Sequence, residues 1–262
     1  MIGTRAITLL LLLVGTVAFY AVGGRTGVAL LSVKYIMHQD YAPTREVAWQ
    51  AGPATAPSAP RRAPNVVLIV ADDLGINDIT HFGGGIAGGK VPTPHIDSIA
   101  KGGVDFRNGY SGNATCAPSR AAMMTGRYAT RFGFEFTPTP KQFMKVVTSM
   151  APAEQLIKPI YHPEREAQLI PYEDMGLPTS EITLAKLLQG ANYHTVHLGK
   201  WHLGDSPQFR SYNHGFNESL SHLHGASMFL PTKDPKVVNA MQAFDPIDQF
   251  LWAAEPWGVR FM

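Results

Sequence analysis

Val66-Val-Leu-Ile-Val70, followed by Ala71-Asp72-Asp73-Leu74-Gly75, is the stretch on which the fold turns. A continuous β-branched and aliphatic run predicts a central strand buried on both faces, as in a parallel sheet flanked by helices. Working outward, Pro94 to Ala100 predicts a short helix and Val104 to Arg107 a strand. Pro118 to Met124 predicts a helix closed by Gly126, and Thr183 to Gln189 one that ends at Gly190 with Ser180 as its cap. Tyr193 to Leu198 predicts the next strand. Strands alternating with helices point to an α/β architecture. Between them, Thr137 to Pro178 is a long Pro-containing excursion of the kind that shapes a substrate entrance.

The chain has 262 residues, 45% of them hydrophobic, enough to bury a sizeable core. Twenty-two basic residues against twenty acidic ones leave a formal charge of +2, with no dense Lys/Arg run, so nothing marks a nucleic-acid partner. Arg5 and Arg25 flank an uncharged stretch that contains the aliphatic run Leu9 to Val14. It is long enough for a membrane anchor of about 20 residues, and its flanks equally suit a signal peptide with small residues at Ala21 and Gly23. Residues 1–50 therefore predict a signal peptide or anchor with its juxtamembrane segment. Residues 51–64, with Pro53, Pro57, Pro60 and Pro64 among alanines, predict a linker, and residues 65–262 a catalytic domain. The expected location is outside the cytoplasm: periplasmic, secreted or membrane-anchored. A single cysteine excludes an intramolecular disulfide, which suits a periplasm as well as a secretory route.

Three strings carry chemistry. Asp72-Asp73 puts two anions after a buried strand, where a hard divalent cation, Ca²⁺ or Mg²⁺, would neutralise them; an adjacent Asp pair elsewhere would more often cap a turn. The lone cysteine opens Cys116-Ala-Pro-Ser-Arg-Ala-Ala-Met-Met-Thr-Gly-Arg127. Pro118 suits a first helical turn, so residue 116 lies at a helix N-terminus that favours an anion, and Arg120 lies one turn along on the same side. A cysteine phosphatase would need arginine where Ala122 stands. Arg127, beyond the helix, could pair with the buried carboxylates. Lastly, Leu198-Gly-Lys200-Trp-His202-Leu-Gly204 brings a cation and a group titrating near neutrality to a strand end. A zinc site is the competing use of the ten histidines, but His194 and His197 point to opposite faces of a strand, and His222 with His224 lack a partner set.

In this order the three strings resemble the sulfatase family, and so do Pro92-Thr-Pro-His-Ile-Asp97 and Gly103-Val-Asp-Phe106 between them. The likeness covers roughly Asn65 to Phe216. It implies an alkaline-phosphatase-like mixed sheet flanked by helices. It further implies that a maturation enzyme converts Cys116 to formylglycine, which as its hydrated diol is both nucleophile and cation ligand beside Asp72 and Asp73. Arg120 would steady the diol, Lys200 would bind the sulfate and His202 would assist proton transfer. The substrate implied is a sulfate monoester: one diol oxygen attacks sulfur as the alcohol leaves, and the second expels sulfate, which a serine could not do.

The later Asp-Asn ligand pair, second histidine and second lysine of such enzymes have no counterpart from Phe216 to Met262. The expectation is thus the N-terminal part of a longer enzyme, truncated at its C-terminus and inactive alone. The alternatives are a phosphonate or phosphodiester hydrolase of the same superfamily and an inactive fragment serving as a binding module.

Overall fold

The computed structural model describes residues 4–21, 24, 27, 28, 30, 31, 63–151, 157–225, 235, 236, 242 and 244–253. The chain divides into two compact units, one formed by Met1–Thr44 with Gly112–Met262 and the other by Arg45–Ser111. The first helix, α1, spans Thr4–Ala21. At about 1.5 Å per residue its 18 residues reach about 27 Å, less than a hydrocarbon core of about 30 Å. Among the described residues, no helix is long and apolar enough to cross a membrane. The linker expected at 51–64 lies almost wholly outside the described residues.

In the smaller unit, Val66–Val70 forms no ladder among the described residues, and all five side chains are exposed. The buried central strand expected there is not observed. An aliphatic run encodes the capacity to be covered, while the covering must come from neighbouring strands and helices. Val104 to Arg107 likewise forms no strand, and Phe106 is 83% exposed. The predicted helix is present as α2, Pro94–Gly102, with Pro94 in its first turn, where no N–H is needed. Asp97 holds α2 to the turn at Thr80–Phe82. Its carboxylate accepts from the Thr80 hydroxyl at 2.7 Å, the Thr93 hydroxyl at 2.8 Å and the His81 N–H at 3.0 Å. The Thr80 bond leads in keeping Asp97 below the ordinary aspartate range.

The larger unit contains the core. Helix α3 spans Cys116–Thr125 and stops at Gly126, whose left-handed conformation (φ +66°) lets its N–H close on Ala122 O at 2.8 Å. This helix begins two residues before the expected start, and Thr115 at its N-cap position makes no side-chain cap; its N–H and hydroxyl both donate to Asn113 Oδ1 instead. Its buried face, Ala117 and Ala121, packs with Phe134, Leu177, Trp201, Leu203 and Leu223. Small side chains on that face let the helix lie close to the large ones opposite. In the excursion lies α4, Lys141–Met150.

Helix α5, Leu184–Gly190, takes its cap from Thr183, not Ser180: the Thr183 hydroxyl accepts the Lys186 N–H at 3.2 Å. The same hydroxyl donates to His214 O, so one buried threonine satisfies two elements. Strand β1 covers Val196–Lys200, shifted toward the C-terminus of the expected run. It pairs in parallel with β2, Glu218–His222, in a register that sets Val196 against Glu218 and Lys200 against His222. A parallel pair needs a long crossover, and residues 201–217 supply it through short 3₁₀ turns at Pro207–Phe209 and Ser211–His214. Helix α6, Pro246–Ala253, is the last described element.

Candidate active site

Both strands of the parallel pair end at the same edge, which is where open α/β sheets build sites. Beyond Lys200 the chain stays bound to its neighbour: Trp201 N–H donates to His222 O at 2.9 Å and His202 N–H to Leu223 O at 3.2 Å. The turn then folds under. Trp201 and Leu203 are each 1% exposed, the Trp201 indole donates to Phe209 O at 2.8 Å, and Leu203 O accepts from Leu177 N–H at 2.8 Å. Gly204 has φ +121° and its Cα lies against the Phe209 ring, so no side chain would fit.

His202 itself has φ +56°, a left-handed conformation that costs a non-glycine residue free energy and concentrates at functional positions. Its ring is buried, and a Cβ on Gly225 would collide with it. The backbone of the chain after β2 therefore forms one wall of the His202 pocket.

Helix α3 meets this turn through one long-range bond. Arg120 Nη1 donates to Lys200 O at 2.8 Å across 80 positions of sequence. A guanidinium carries five N–H donors in a fixed fork, of which this bond occupies one. Cys116 is the first residue of the same helix and is partly exposed. The structure thus joins the helix of Cys116 and Arg120 to the turn of Lys200 and His202. Asp72 and Asp73 belong to the smaller unit, where both are exposed and Asp73 has φ +52°. Arg127 pairs with Glu181 at 2.5 Å rather than with those carboxylates, because the capped start of α5 brings Glu181 within reach.

Three groups that the sequence motifs do not single out stand beside the turn. Asp205 Oδ2 accepts from Tyr172 OH at 2.6 Å and bonds His224 Nδ1 at 2.9 Å. Burial pushes the Asp205 carboxyl up, but the His224 and Tyr172 bonds and the charge of His202 outweigh it, leaving it below the usual aspartate value. Burial, and then Asp205, drives the Tyr172 phenol upward. On β1, His197 is drawn down to about 4 by burial and then by Arg120 and His222. Its Nδ1 meets the Ser221 hydroxyl, and its ring stands edge-on to Trp201 at 5.1 Å. The His222-x-His224 spacing was the one signal in the sequence for this corner. His224 serves a carboxylate there, and no three His, Cys, Asp or Glu side chains gather to hold a metal among the described residues.

Comparison with known proteins agrees with the strings on this edge. The sulfatase family model matches residues 64–262. Human steryl-sulfatase is 37% identical over 160 residues, 59% of this chain and 22% of that protein. The arylsulfatase of Hemicentrotus pulcherrimus is 36% identical over 168 residues, 61% of this chain and 24% of that protein. A solved structure, described as a crystal structure of Ps i-CgsB, is 34% identical, covers 65% of this chain and 30% of its own, and superposes with a TM-score of 0.48. The chain spans about a quarter of the length of the curated relatives it matches. Matched over most of its sequence by that family model, the chain belongs to the sulfatase family, and with it to the alkaline-phosphatase-like α/β class expected from its sequence.

Proposed function

We propose that this chain carries the nucleophile end and one proton-transfer group of a sulfuric ester hydrolase acting on sulfate monoesters. The observation that carries the proposal is the Arg120–Lys200 bond, which fixes the N-terminus of α3 to the strand edge bearing Lys200 and His202. Cys116, in the first turn of α3, is the residue to be converted to formylglycine by a maturation enzyme. When hydrated, that aldehyde supplies an attacking oxygen and a second hydroxyl that can release sulfate without water attacking sulfur.

The chain's own groups act around it. Backbone N–H groups of the first turn of α3 face an anion, and the helix dipole favours negative charge there. Arg120 keeps the first turn of α3 in register with the turn at 200–204. Lys200 offers a point charge to sulfate oxygens, where charge grows in the transition state. His202 exchanges a proton with the departing alcohol oxygen, and its buried, strained conformation holds the ring for that single task.

Asp72 and Asp73 have the oxygen chemistry of Ca²⁺ or Mg²⁺ ligands, and with residue 116 they are the proposed donors. By themselves they fall short of the about six to eight oxygens that Ca²⁺ takes. An increase in thermal stability with Ca²⁺ that is lost in Asp72→Ala is their test. The apolar α1 is proposed as the core of an export signal, which N-terminal sequencing of protein recovered outside the cytoplasm would check.

The deciding experiment for the activity is peptide mapping by mass around residue 116 after co-expression with a formylglycine-forming enzyme, followed by an aryl sulfate assay of the full-length protein. Replacement of the thiol by an aldehyde, with turnover abolished in Cys116→Ala, is the expected result. An unconverted thiol, or turnover unaffected by Cys116→Ala, refutes the proposal.

A further inference from the structure

His202 holds a left-handed backbone, and strain of that kind persists where several neighbours fix a residue at once. One of those neighbours is the strap that follows β2, residues 223–225. Its first residue takes the His202 N–H on Leu223 O at 3.2 Å. Its last lies on the ring itself, since a side chain on Gly225 would run into Cε1 and both ring nitrogens of His202. The strap therefore rests on the ring edge that would give or take a proton.

What seats the strap is the residue between them. His224 Nδ1 bonds Asp205 Oδ2 at 2.9 Å, and the same oxygen takes the Tyr172 hydroxyl at 2.6 Å. A carboxylate only accepts, so Nδ1 carries the hydrogen whether the His224 ring is neutral or charged. Asp205 stands three residues after His202, beyond Gly204, whose φ of +121° turns the chain. The path is closed: from the His202 backbone through Leu203 and Gly204 to Asp205, across to His224, and by Gly225 back to the His202 ring. The charge of His202 also acts on Asp205, as their nearness requires. Tyr172 pins this loop to the segment 172–177, which two more bonds fasten to the turn: Ser206 hydroxyl to Glu173 O at 2.6 Å and Leu177 N–H to Leu203 O at 2.8 Å.

We propose that Asp205 is a positioning residue for His202: by gripping His224 it seats Gly225 on the imidazole and holds the ring in the one orientation from which it transfers a proton. The inference rests on the sulfatase reading above for the use of His202, and on the closed loop for the part played by Asp205. It requires no contact between Asp205 or His224 and a substrate. A reacting group displaced by about 1 Å can cost about a hundredfold in rate, so a residue that only steadies the ring has a measurable effect on turnover.

The test uses the full-length, matured protein and two readouts. In the first, diethyl pyrocarbonate labels histidines at about pH 8, where an ordinary imidazole is neutral, and peptide mass locates the label. His202, buried under the strap, should label slowly. Asp205→Ala should speed its labelling about tenfold, the worth of one lost bond, while the fully buried His214 stays unlabelled. Asp205→Asn, whose carbonyl oxygen can take both donors, should label like the unmutated protein. In the second readout, turnover of p-nitrophenyl sulfate, kcat should fall about tenfold or more in Asp205→Ala with a smaller change in KM, and Asp205→Asn should recover most of the loss. Tyr172→Phe, which keeps the Asp205–His224 bond, should shift both readouts the same way by less, and it carries the test if Asp205→Ala does not fold. Four results sink this inference while leaving the sulfatase reading intact: unchanged labelling of His202, labelling of His214 together with it, a kcat as low in Asp205→Asn as in Asp205→Ala, or an unchanged kcat beside faster labelling. No turnover of the ester by a protein bearing the aldehyde defeats the sulfatase reading, and this inference with it.

Discussion

Acidification should destabilise this protein through a histidine that takes no part in the proposed chemistry. His214 is fully buried, and neither ring nitrogen has a hydrogen-bond partner among the described residues. Burial, and then the charge of Lys186, draws its pKa down to about 4. In the unfolded chain the same ring titrates near its ordinary value of about 6.5. The unfolded state therefore takes up the proton first. The stability owed to the neutral ring is complete above about pH 6.5 and is lost as pH falls toward about 4. At about 1.4 kcal/mol per pH unit, that gap is worth about 3 kcal/mol, a large share of a stability of about 5–15 kcal/mol. His197, also drawn down to about 4, adds a loss of the same sign over the same window, reduced by its partial exposure. Urea unfolding at closely spaced pH values between 7 and 4 measures the slope directly. In His214→Phe, which keeps a ring against Trp201, the steepest slope should drop by about one proton. A slope identical to that of the unmutated protein would show that His214 does not carry the linkage and would refute the reasoning.

Thr183→Ala should cost about 1–2 kcal/mol in urea unfolding, since it removes both the cap of α5 and the bond to His214 O. Gly176→Ala should cost about 1–3 kcal/mol by the same assay, because a Cβ there runs into the Phe209 ring, which is already seated against Gly204. Arg120→Lys should reduce kcat on an aryl sulfate by about tenfold or more with a smaller change in unfolding free energy, because an ammonium loses the fork geometry that meets Lys200 O. Equal losses in kcat and stability would assign Arg120 a purely structural role.

How much of this was legible in the sequence follows from how local each signal is. Helices α2, α3 and α5 were readable because Pro94, Gly126 and Gly190 punctuate the backbone where they stand. The choice between Ser180 and Thr183 as cap was not readable, because it depends on which hydroxyl the first turn of α5 brings to Lys186. Strand β2 has no aliphatic run, only Leu220 among polar residues, and it becomes a strand because β1 offers it a register. Val66–Val70 has the composition of a core strand without a described neighbour, so composition alone overstates its burial. In the candidate site, Cys116, Arg120, Lys200 and His202 were named from short strings, whereas Tyr172, Asp205 and His224 come together from three segments with no shared motif.

The bond from Arg120 to position 200 ends on a carbonyl oxygen, not on the lysine side chain. A backbone acceptor is present whatever residue stands there. Framework and reactivity are thus uncoupled at this point of the chain. Position 200 can exchange its charge for another without loosening the strut that holds helix to strand edge, and a descendant of this sequence could acquire a different anion preference by a single codon change on an unaltered chassis.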